Sequence, residues 1–227
     1  MTPQQAARHF HQELLGLKAR LLEMSGLAEE MVRLSVQAFI EQDVMKAHVV
    51  VDQDQKVDAL EVRIDQQVHE LLALQQPMAS DLRSLTMTMQ IANDLERVGD
   101  HAVNVARAVQ HMAGMLPLGP TPELMEMATL ASGMLSDSLD AFVRSDPTLA
   151  REVCRRDDRV DQLHNAMFRI LLTHMMEDPR RIGPSMSLLM ISKNLERIAD
   201  LATNIGEDVV FLVEGVTIKH GMERKTD

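Results

Sequence analysis

Pairs of carboxylate side chains four residues apart recur at matching places in the two halves of the sequence. The pairs are Asp54 with Asp58, Glu96 with Asp100, Asp157 with Asp161, and Glu196 with Asp200. Residues four apart are neighbours on one face of a helix, so each pair places two carboxylates side by side. Carboxylate oxygens suit hard cations such as Mg²⁺, Mn²⁺, Ca²⁺ or iron.

Two interpretations of these pairs stay open from the residues alone. Like charges four apart cost only about 0.2–0.5 kcal/mol, so an ordinary solvated acidic face, partly balanced by nearby Arg and Lys, is the simpler one. The presence of two pairs in each half favours a cation site instead. On a helical wheel, Glu96 and Asp100 lie well away from the apolar stripe of their helix, which predicts a site at the surface rather than in the core.

Helices must position these pairs, and the prolines outline them. No proline lies in the middle of a long periodic segment, and Thr121-Pro122 and Asp146-Pro147 each combine an N-cap residue with proline at the first helical position. Apolar residues recur at alternating spacings of four and three, so these helices need partner helices to cover them. The sequence predicts six antiparallel helices with short loops, at 3–41, 44–75, 80–115, 121–144, 147–177 and 184–214.

An internal duplication relates the first three helices to the last three. The segment DQKVD (54–58) recurs as DDRVD (157–161), at an offset of 103 residues, and DLERVGDHAVN (94–104) recurs as NLERIADLATN (194–204), at an offset of 100. Order is kept and the offset hardly changes, so the chain is a duplicated three-helix unit. We place the units at residues 1–116 and 117–227, with the boundary in LPLGPTP (116–122).

Composition limits the classes of function. The 227 residues carry a net charge of −11 and include 5 Phe, 18 Met and neither Trp nor Tyr, which excludes nucleic acid as a partner and favours an aliphatic helical core. The single Cys154 forms neither an internal disulfide nor a Cys-based zinc site. The N-terminus has no signal-peptide pattern, and no stretch reaches about 20 apolar residues. We therefore expect a soluble cytoplasmic protein.

In this order, the motifs resemble those of the PhoU family of phosphate-transport accessory proteins. The resemblance covers nearly the whole chain, and it is carried by DLERVGDHAVNVA (94–106), DDRVDQLHNAMFRILL (157–172) followed by MMEDP (175–179), and NLERIADLATNIGEDVVFLVEG (194–215). It implies an all-α fold of two tandem antiparallel three-helix bundles related by a pseudo-twofold axis. One departure is Leu201, where the resemblance leads us to expect a histidine like His101.

The resemblance also implies a function. It implies a negative regulator of phosphate uptake and of the phosphate-starvation response, acting as an adaptor between the ATPase of a phosphate ABC transporter and a sensor histidine kinase. Members bind metal ions through E/DxxxD motifs on the bundle surface, and these motifs map onto the four pairs given above. The metal stays open among iron, Mn, Mg, Zn and Ca. We also expect a homodimer that reaches the membrane only through its partners.

Two other functions remain as alternatives. A carboxylate-bridged metal supports hydrolysis or oxidation in some enzymes, but the sequence places no nucleophile or general base beside the pairs, so we predict that the chain is not an enzyme. The second alternative is a metal-binding bundle with a purely structural role. Cys154 precedes Arg155 and Arg156, which can lower the pKa of a thiol, but a structural or incidental thiol is the favoured interpretation.

Overall fold

The chain folds into six α-helices across the residues that the computed structural model describes, which are 3–75, 77 and 79–219, without the side chains of residues 3–9, 11, 75 and 79. The helices are α1 (Pro3–Glu41), α2 (Val44–Gln75), α3 (Ala79–Met112), α4 (Pro122–Arg144), α5 (Pro147–Glu177) and α6 (Ile182–Glu214). This confirms the all-α fold class. Within these residues, none of the helices has both the length and the apolar character that crossing a membrane requires.

Helices α4 and α5 begin at the predicted caps. The Thr121 side chain accepts a hydrogen bond from the backbone N–H of Leu124, and the Asp146 carboxylate accepts from the backbone N–H groups of Thr148 and Leu149, at 2.9 and 3.1 Å. Such caps satisfy N–H groups that have no partner within the helix. In α4 and α5, proline follows the cap, where its missing N–H costs nothing.

Two predicted helix ends differ from the structure by more than one residue, and both differences have identifiable reasons. A short 3-10 turn (Pro179–Arg181) leads directly into α6, so this helix begins at Ile182 and Pro184 falls in its first turn, where proline is tolerated. At the other difference, α3 ends at Met112 instead of residue 115. Gly114 follows with φ +80°, a left-handed conformation that glycine adopts without strain and that ends the helix.

Helices α1–α3 pack as one three-helix bundle and α4–α6 as another, and α3 packs against α6 to join them. Gln90 near the start of α3 meets Asp208 near the end of α6, whereas His101 in α3 meets Asn194 earlier in α6, so the two joining helices run antiparallel. The predicted tandem bundles are thus confirmed. The unit boundary between residues 116 and 117 stays a prediction, and it falls in the segment between α3 and α4.

The two bundles have equivalent cores. Leu95 and Leu195, which correspond at the offset of 100, are both completely buried, and so are Ile91 with Ile191 and Ala102 with Ala202 at the same offset. This heptad stripe faces inward on both α3 and α6 and leaves the LERxxD carboxylates on the opposite side. Burying an aliphatic side chain of this size contributes about 1.5–3 kcal/mol, so the core fixes the direction in which the carboxylates point.

Candidate metal site

Three carboxylates of the second bundle converge between α5 and α6. One oxygen each of Asp161, Glu196 and Asp200 lies within 4.8 Å of the others; Asp161 is exposed and the other two are half-buried. Among the side chains that the structure describes, no other group of three His, Cys, Asp or Glu meets this spacing. Oxygens around one hard cation at bond lengths of about 2.0–2.6 Å have separations of this order.

Asp157, one turn before Asp161 on α5, lies beside this group. Partial burial raises the pKa of Asp157 to about 6, and the negative charges of Asp200 and Asp161 add to the increase, whereas the Thr203 hydroxyl lowers it. Burial raises the pKa of Asp200 as well, with a further contribution from Glu196. The carboxylates from α5 and from α6 therefore form one electrostatically coupled cluster, which we call the second-bundle acidic cluster (Asp157, Asp161, Glu196 and Asp200).

Two cations of α6 neutralise part of this cluster. The Lys193 ammonium donates to the Glu196 carboxylate at 2.7 and 2.9 Å, and the Arg197 guanidinium donates to Asp200 at 2.7 Å. The Glu196 side chain is only 14 % exposed, so its charge is shielded by Lys193 more than by water. A metal ion at this position competes with Lys193 for both oxygens of Glu196 and with Arg197 for one oxygen of Asp200.

The corresponding carboxylates of the first bundle also share one face, between α2 and α3. We call them the first-bundle acidic cluster (Asp54, Asp58, Glu96 and Asp100). Burial raises the pKa of Glu96, and the charges of Asp100, Asp58, Glu61 and Asp54 raise it further. Burial likewise raises the pKa of Asp54, with smaller contributions from Asp58 and Asp100. The structure thus brings both predicted pairs of this bundle together, but without the close convergence seen in the second.

The cations around the first-bundle acidic cluster differ from those of the second bundle. Asn93 occupies the position that corresponds to Lys193. Arg97, which corresponds to Arg197, lies 3.7 Å from the buried Asp94. The second bundle has Asn194 at the position of Asp94, so the residues that direct the arginine differ as well.

Sequence reasoning missed two neighbours of the clusters. Lys193 is three residues before Glu196, a spacing at which helix side chains form ion pairs, so this signal was available. Thr203 carries no such local signal, because it affects Asp157 on another helix, so only the tertiary structure reveals it. Glu61 is three residues after Asp58, and the sequence predicts that it shares the acidic face of α2, but its effect on Glu96 of α3 appears only in the fold.

The histidine that distinguishes the two LERxxD motifs contacts the other bundle rather than the carboxylates. Nδ1 of His101 lies 2.9 Å from the side-chain oxygen of Asn194 on α6. Leu201, at the corresponding place on α6, is 2 % exposed. The departure at Leu201 therefore puts a buried apolar side chain where the first motif has a hydrogen-bonding ring.

Cys154 has no sign of activation. Burial raises its thiol pKa to about 11, with a smaller contribution from the charge of Glu207, and Sγ lies 3.7 Å from the Thr203 carbonyl oxygen. A lowered thiol pKa is therefore the wrong expectation, because burial outweighs the charge of Arg151, the arginine that lowers this pKa. The thiol is protonated at neutral pH, in keeping with the favoured structural interpretation.

A family model, related sequences and solved structures all match this chain to PhoU proteins. The family model described as "PhoU domain" matches twice, at residues 21–109 and 124–209. A protein of Zymomonas mobilis named phosphate-specific transport system accessory protein PhoU homolog is 40 % identical over 91 % of this chain and 87 % of its own length. A Clostridium acetobutylicum protein of the same name is 37 % identical over 91 % of this chain and 94 % of its own.

Solved structures agree with these sequence matches. The crystal structure of PhoU from Pseudomonas aeruginosa superposes with a TM-score of 0.87 at 38 % identity, covering 91 % of this chain and 99 % of that one. The phosphate transport system regulatory protein PhoU from Streptococcus pneumoniae gives a TM-score of 0.84 at 30 % identity, covering 92 % and 99 %. Because the family model matches both bundles and a relative is 40 % identical over 91 % of the chain, the chain belongs to the PhoU family.

Proposed function

We propose that this protein regulates phosphate uptake and the phosphate-starvation response, as an adaptor between the ATPase of a phosphate ABC transporter and a sensor histidine kinase. The observation that carries the proposal is the similarity, over about nine-tenths of both chains, to proteins named accessory proteins of the phosphate-specific transport system. The sign of regulation is negative: the bound protein lowers uptake and represses the response. A regulator does this by binding one state of its partner more tightly than another.

We also propose that the protein acts without catalysing a reaction. The group that most resembles a nucleophile and base is the pair His164 and Ser192, whose Nδ1 and Oγ lie 2.8 Å apart beside the second-bundle acidic cluster. Ser192 is completely buried, and its hydroxyl also donates to the Met127 sulfur. A buried hydroxyl in this position does not reach a substrate, which supports a binding role over a hydrolytic one.

The second-bundle acidic cluster is the better candidate for a metal ion. Asp161, Glu196 and Asp200 supply hard oxygen ligands at a suitable spacing, and the exposure of Asp161 leaves open positions for water or a partner group. When bound, the metal would supply a positive centre on an otherwise acidic surface. In the first-bundle acidic cluster, Asp54, Asp58, Glu96 and Asp100 provide the same chemistry with looser convergence, so we expect weaker binding there.

Elemental analysis of purified variants tests this assignment. Replacing Glu96→Ala and Glu196→Ala together should abolish bound metal while the circular dichroism spectrum stays that of the wild type, because both side chains lie outside the core. Between single variants, Glu196→Gln should lose more metal than Glu96→Gln. Glu70→Gln, an exposed change on α2, serves as the control. Unchanged metal content in the double variant would contradict the site.

Affinity capture tests the adaptor role. The tagged protein, recovered from phosphate-replete and phosphate-starved cells, should bring with it the transporter ATPase or the histidine kinase, in amounts that depend on phosphate. Deletion of the gene should raise phosphate uptake in replete cells. Recovery of neither partner in either condition, together with unchanged uptake, would overturn the proposal. Sedimentation of the same preparation tests the proposed homodimer.

A further inference from the structure

An apolar surface on the second bundle has no partner in the described chain. Its six side chains, each between 46 % and 80 % exposed, come from the end of α5 and the start of α6, and they are Phe168, Leu172, Met176, Ile182, Met186 and Met190. Monomers seldom expose contiguous apolar patches beyond about 300–600 Å², and those that do often bind a partner there. We call this set the apolar patch.

The antiparallel register of α5 and α6 makes these side chains one surface. His164 on α5 contacts Ser192 on α6, and two turns earlier on α5 Asp157 interacts with Asp200. The residue numbers of two positions that face each other across these helices therefore add up to about 356. Continuing this register places Phe168 level with residues 188–189 and Leu172 level with residues 184–185. Leu189, half-buried against the core, lies between the exposed residues and closes the floor of the patch.

The apolar patch continues directly into the second-bundle acidic cluster. Phe168 is seven residues after Asp161, so it lies on the same edge of α5, about 10 Å farther along the axis at 1.5 Å per residue. On α6, Ile182 and Glu196 lie within 40° of each other around the helix at 100° per residue. A ligand about 22 Å long therefore covers both the patch and the carboxylates.

The first bundle, which the duplication relates to the second, has polar side chains at four of the six patch positions. At the offset of 103, Asp65 and His69 stand where α5 has Phe168 and Leu172, and His69 Nδ1 lies 3.5 Å from the Asp65 carboxylate. At the offset of 100, Thr86 and Gln90 stand where α6 has Met186 and Met190. Ile182 corresponds to Leu82, which is also exposed, and Met176 corresponds to Ala73. The duplication therefore does not require the patch, and the side chains particular to the second bundle are Phe168, Leu172, Met186 and Met190.

The geometry points to the docking of a partner helix that has one apolar face and Lys or Arg residues at one end. Two antiparallel helices form a shallow groove in which an apolar helix face packs at i, i+4 and i+7 spacing. Methionine, which supplies three of the six side chains, adapts to partners of different shape. The adjoining acidic cluster attracts the basic end and fixes the position of the helix along the groove. About 15 helical residues span both features.

This inference rests on the proposed adaptor role, but its test requires neither the transporter ATPase, nor the histidine kinase, nor a metal ion. The probe is a fluorescent 18-residue peptide with leucines at i, i+4, i+7 and i+11 and three arginines in the last turn. Its control has the same composition with the leucines distributed around the helix. Fluorescence anisotropy with the full chain in chelator should show at least tenfold tighter binding of the amphipathic peptide, and binding should weaken as salt rises.

Substitution toward the first bundle locates the binding surface. Phe168→Asp, and separately Met186→Thr with Met190→Gln, should each weaken binding of the amphipathic peptide at least tenfold, whereas Leu82→Thr, an exposed leucine of the first bundle, should change nothing. All four positions are exposed, so the variants should keep the wild-type circular dichroism spectrum.

Two results would overturn the inference. One is equal binding by wild type and both patch variants, or by both peptides. The other is a wild-type dimer in sedimentation that Phe168→Asp converts to monomer, since the occupant is then a second copy of the chain. A negative result in the peptide-binding experiment does not affect the metal analysis or the affinity capture. Negative results in those two experiments likewise do not affect the peptide-binding result.

Discussion

The two bundles are nearly interchangeable inside and differ on the face that carries the carboxylates. Leu95 and Leu195 are equally buried, whereas Lys193 donates to Glu196 of the second-bundle acidic cluster and the corresponding residue of the first bundle is the uncharged Asn93. Large-to-small core changes cost about 2–5 kcal/mol, but surface changes usually cost less than about 0.5 kcal/mol. A duplicated fold is therefore held constant by its core, and its two surfaces are free to acquire different binding properties.

The close packing of α5 on α6 should give the largest difference between the bundles, measured as the loss of unfolding free energy when a methyl group is added. A Cβ on Gly206 would lie 3.0 Å from the Ala150 carbonyl oxygen and 3.3 Å from Cys154 Sγ, while the first bundle has Ala106 at the equivalent position. Gly206→Ala should therefore lower the free energy of unfolding by about 1–3 kcal/mol, despite the gain in helix propensity. Urea unfolding measures this change.

Gly133→Ala provides the matched control for that measurement. Apart from neighbouring backbone of its own helix, no atom lies within 4 Å of a Cβ at Gly133, so this change should raise the free energy of unfolding by about 0.5–1 kcal/mol through helix propensity alone. If Gly206→Ala stabilises the protein as much as Gly133→Ala does, α5 and α6 approach no more closely than α2 and α3.

The sequence predicts the helices and the outward direction of the carboxylates, but not which carboxylates meet. A helical wheel gives the direction of Glu196 relative to its own axis, and heptad spacing gives the face that is buried. Neither gives the rotation of α5 about its axis relative to α6, which the packing of the whole core sets. The convergence of Asp161 with Glu196 and Asp200 therefore appears only in the folded chain.

The partner of a long cationic side chain is equally hard to predict. Arg97 and Arg197 have the same LERxxD context, yet Arg97 lies near Asp94 and Arg197 pairs with Asp200. The difference follows from Asn194 replacing Asp94 in the second bundle. Surface ion pairs are worth about 0–1 kcal/mol, so small changes in their neighbours redirect them.

The pH dependence of the free energy of unfolding tests a second and smaller difference between the two bundles, namely how strongly each acidic cluster holds a proton. Asp157 has a pKa of about 6 in the fold against an ordinary value of 3.8, so the folded chain holds this proton more tightly than the unfolded chain does. Protonation of Asp157 therefore stabilises the fold fully below about pH 4, and this stabilisation is lost as the pH rises through 6. Asp157→Asn should therefore reduce the loss of stability between pH 4 and pH 7, measured by urea unfolding in chelator.

Asp54→Asn is the corresponding change in the first bundle and should reduce that loss less. The pKa of Asp54 is also raised by burial, but the nearby Arg107 charge opposes the increase. Asp94, whose pKa is raised to about 6 mainly by burial and then by Asp208, is unchanged in both variants and contributes an equal background. If the two substitutions reduce the pH dependence of the free energy of unfolding equally, the two clusters titrate alike.

Exchange of a single charge gives the smallest expected effect and addresses the metal sites directly. Lys193 donates to Glu196, and an incoming cation must displace it, whereas Asn93 presents no charge to the first-bundle acidic cluster. Lys193→Asn should therefore tighten Mn²⁺ binding by a few-fold, up to about fivefold, the range expected for one partly exposed ion pair. Asn93→Lys should weaken binding at the first bundle by a similar factor. Calorimetric titration at low salt measures both.

The control for this exchange is Lys18→Asn, which removes the same charge from an exposed position on α1. If Lys18→Asn tightens Mn²⁺ binding as much as Lys193→Asn does, the net charge of the chain governs affinity and the local pairing is irrelevant. A local effect should instead be confined to Lys193. It should also shrink as salt rises, because screening weakens the repulsion between the ammonium and the metal that the substitution removes. The convergence of the three carboxylates and their neutralisation by α6 cations thus act in opposite directions, and Lys193→Asn separates them.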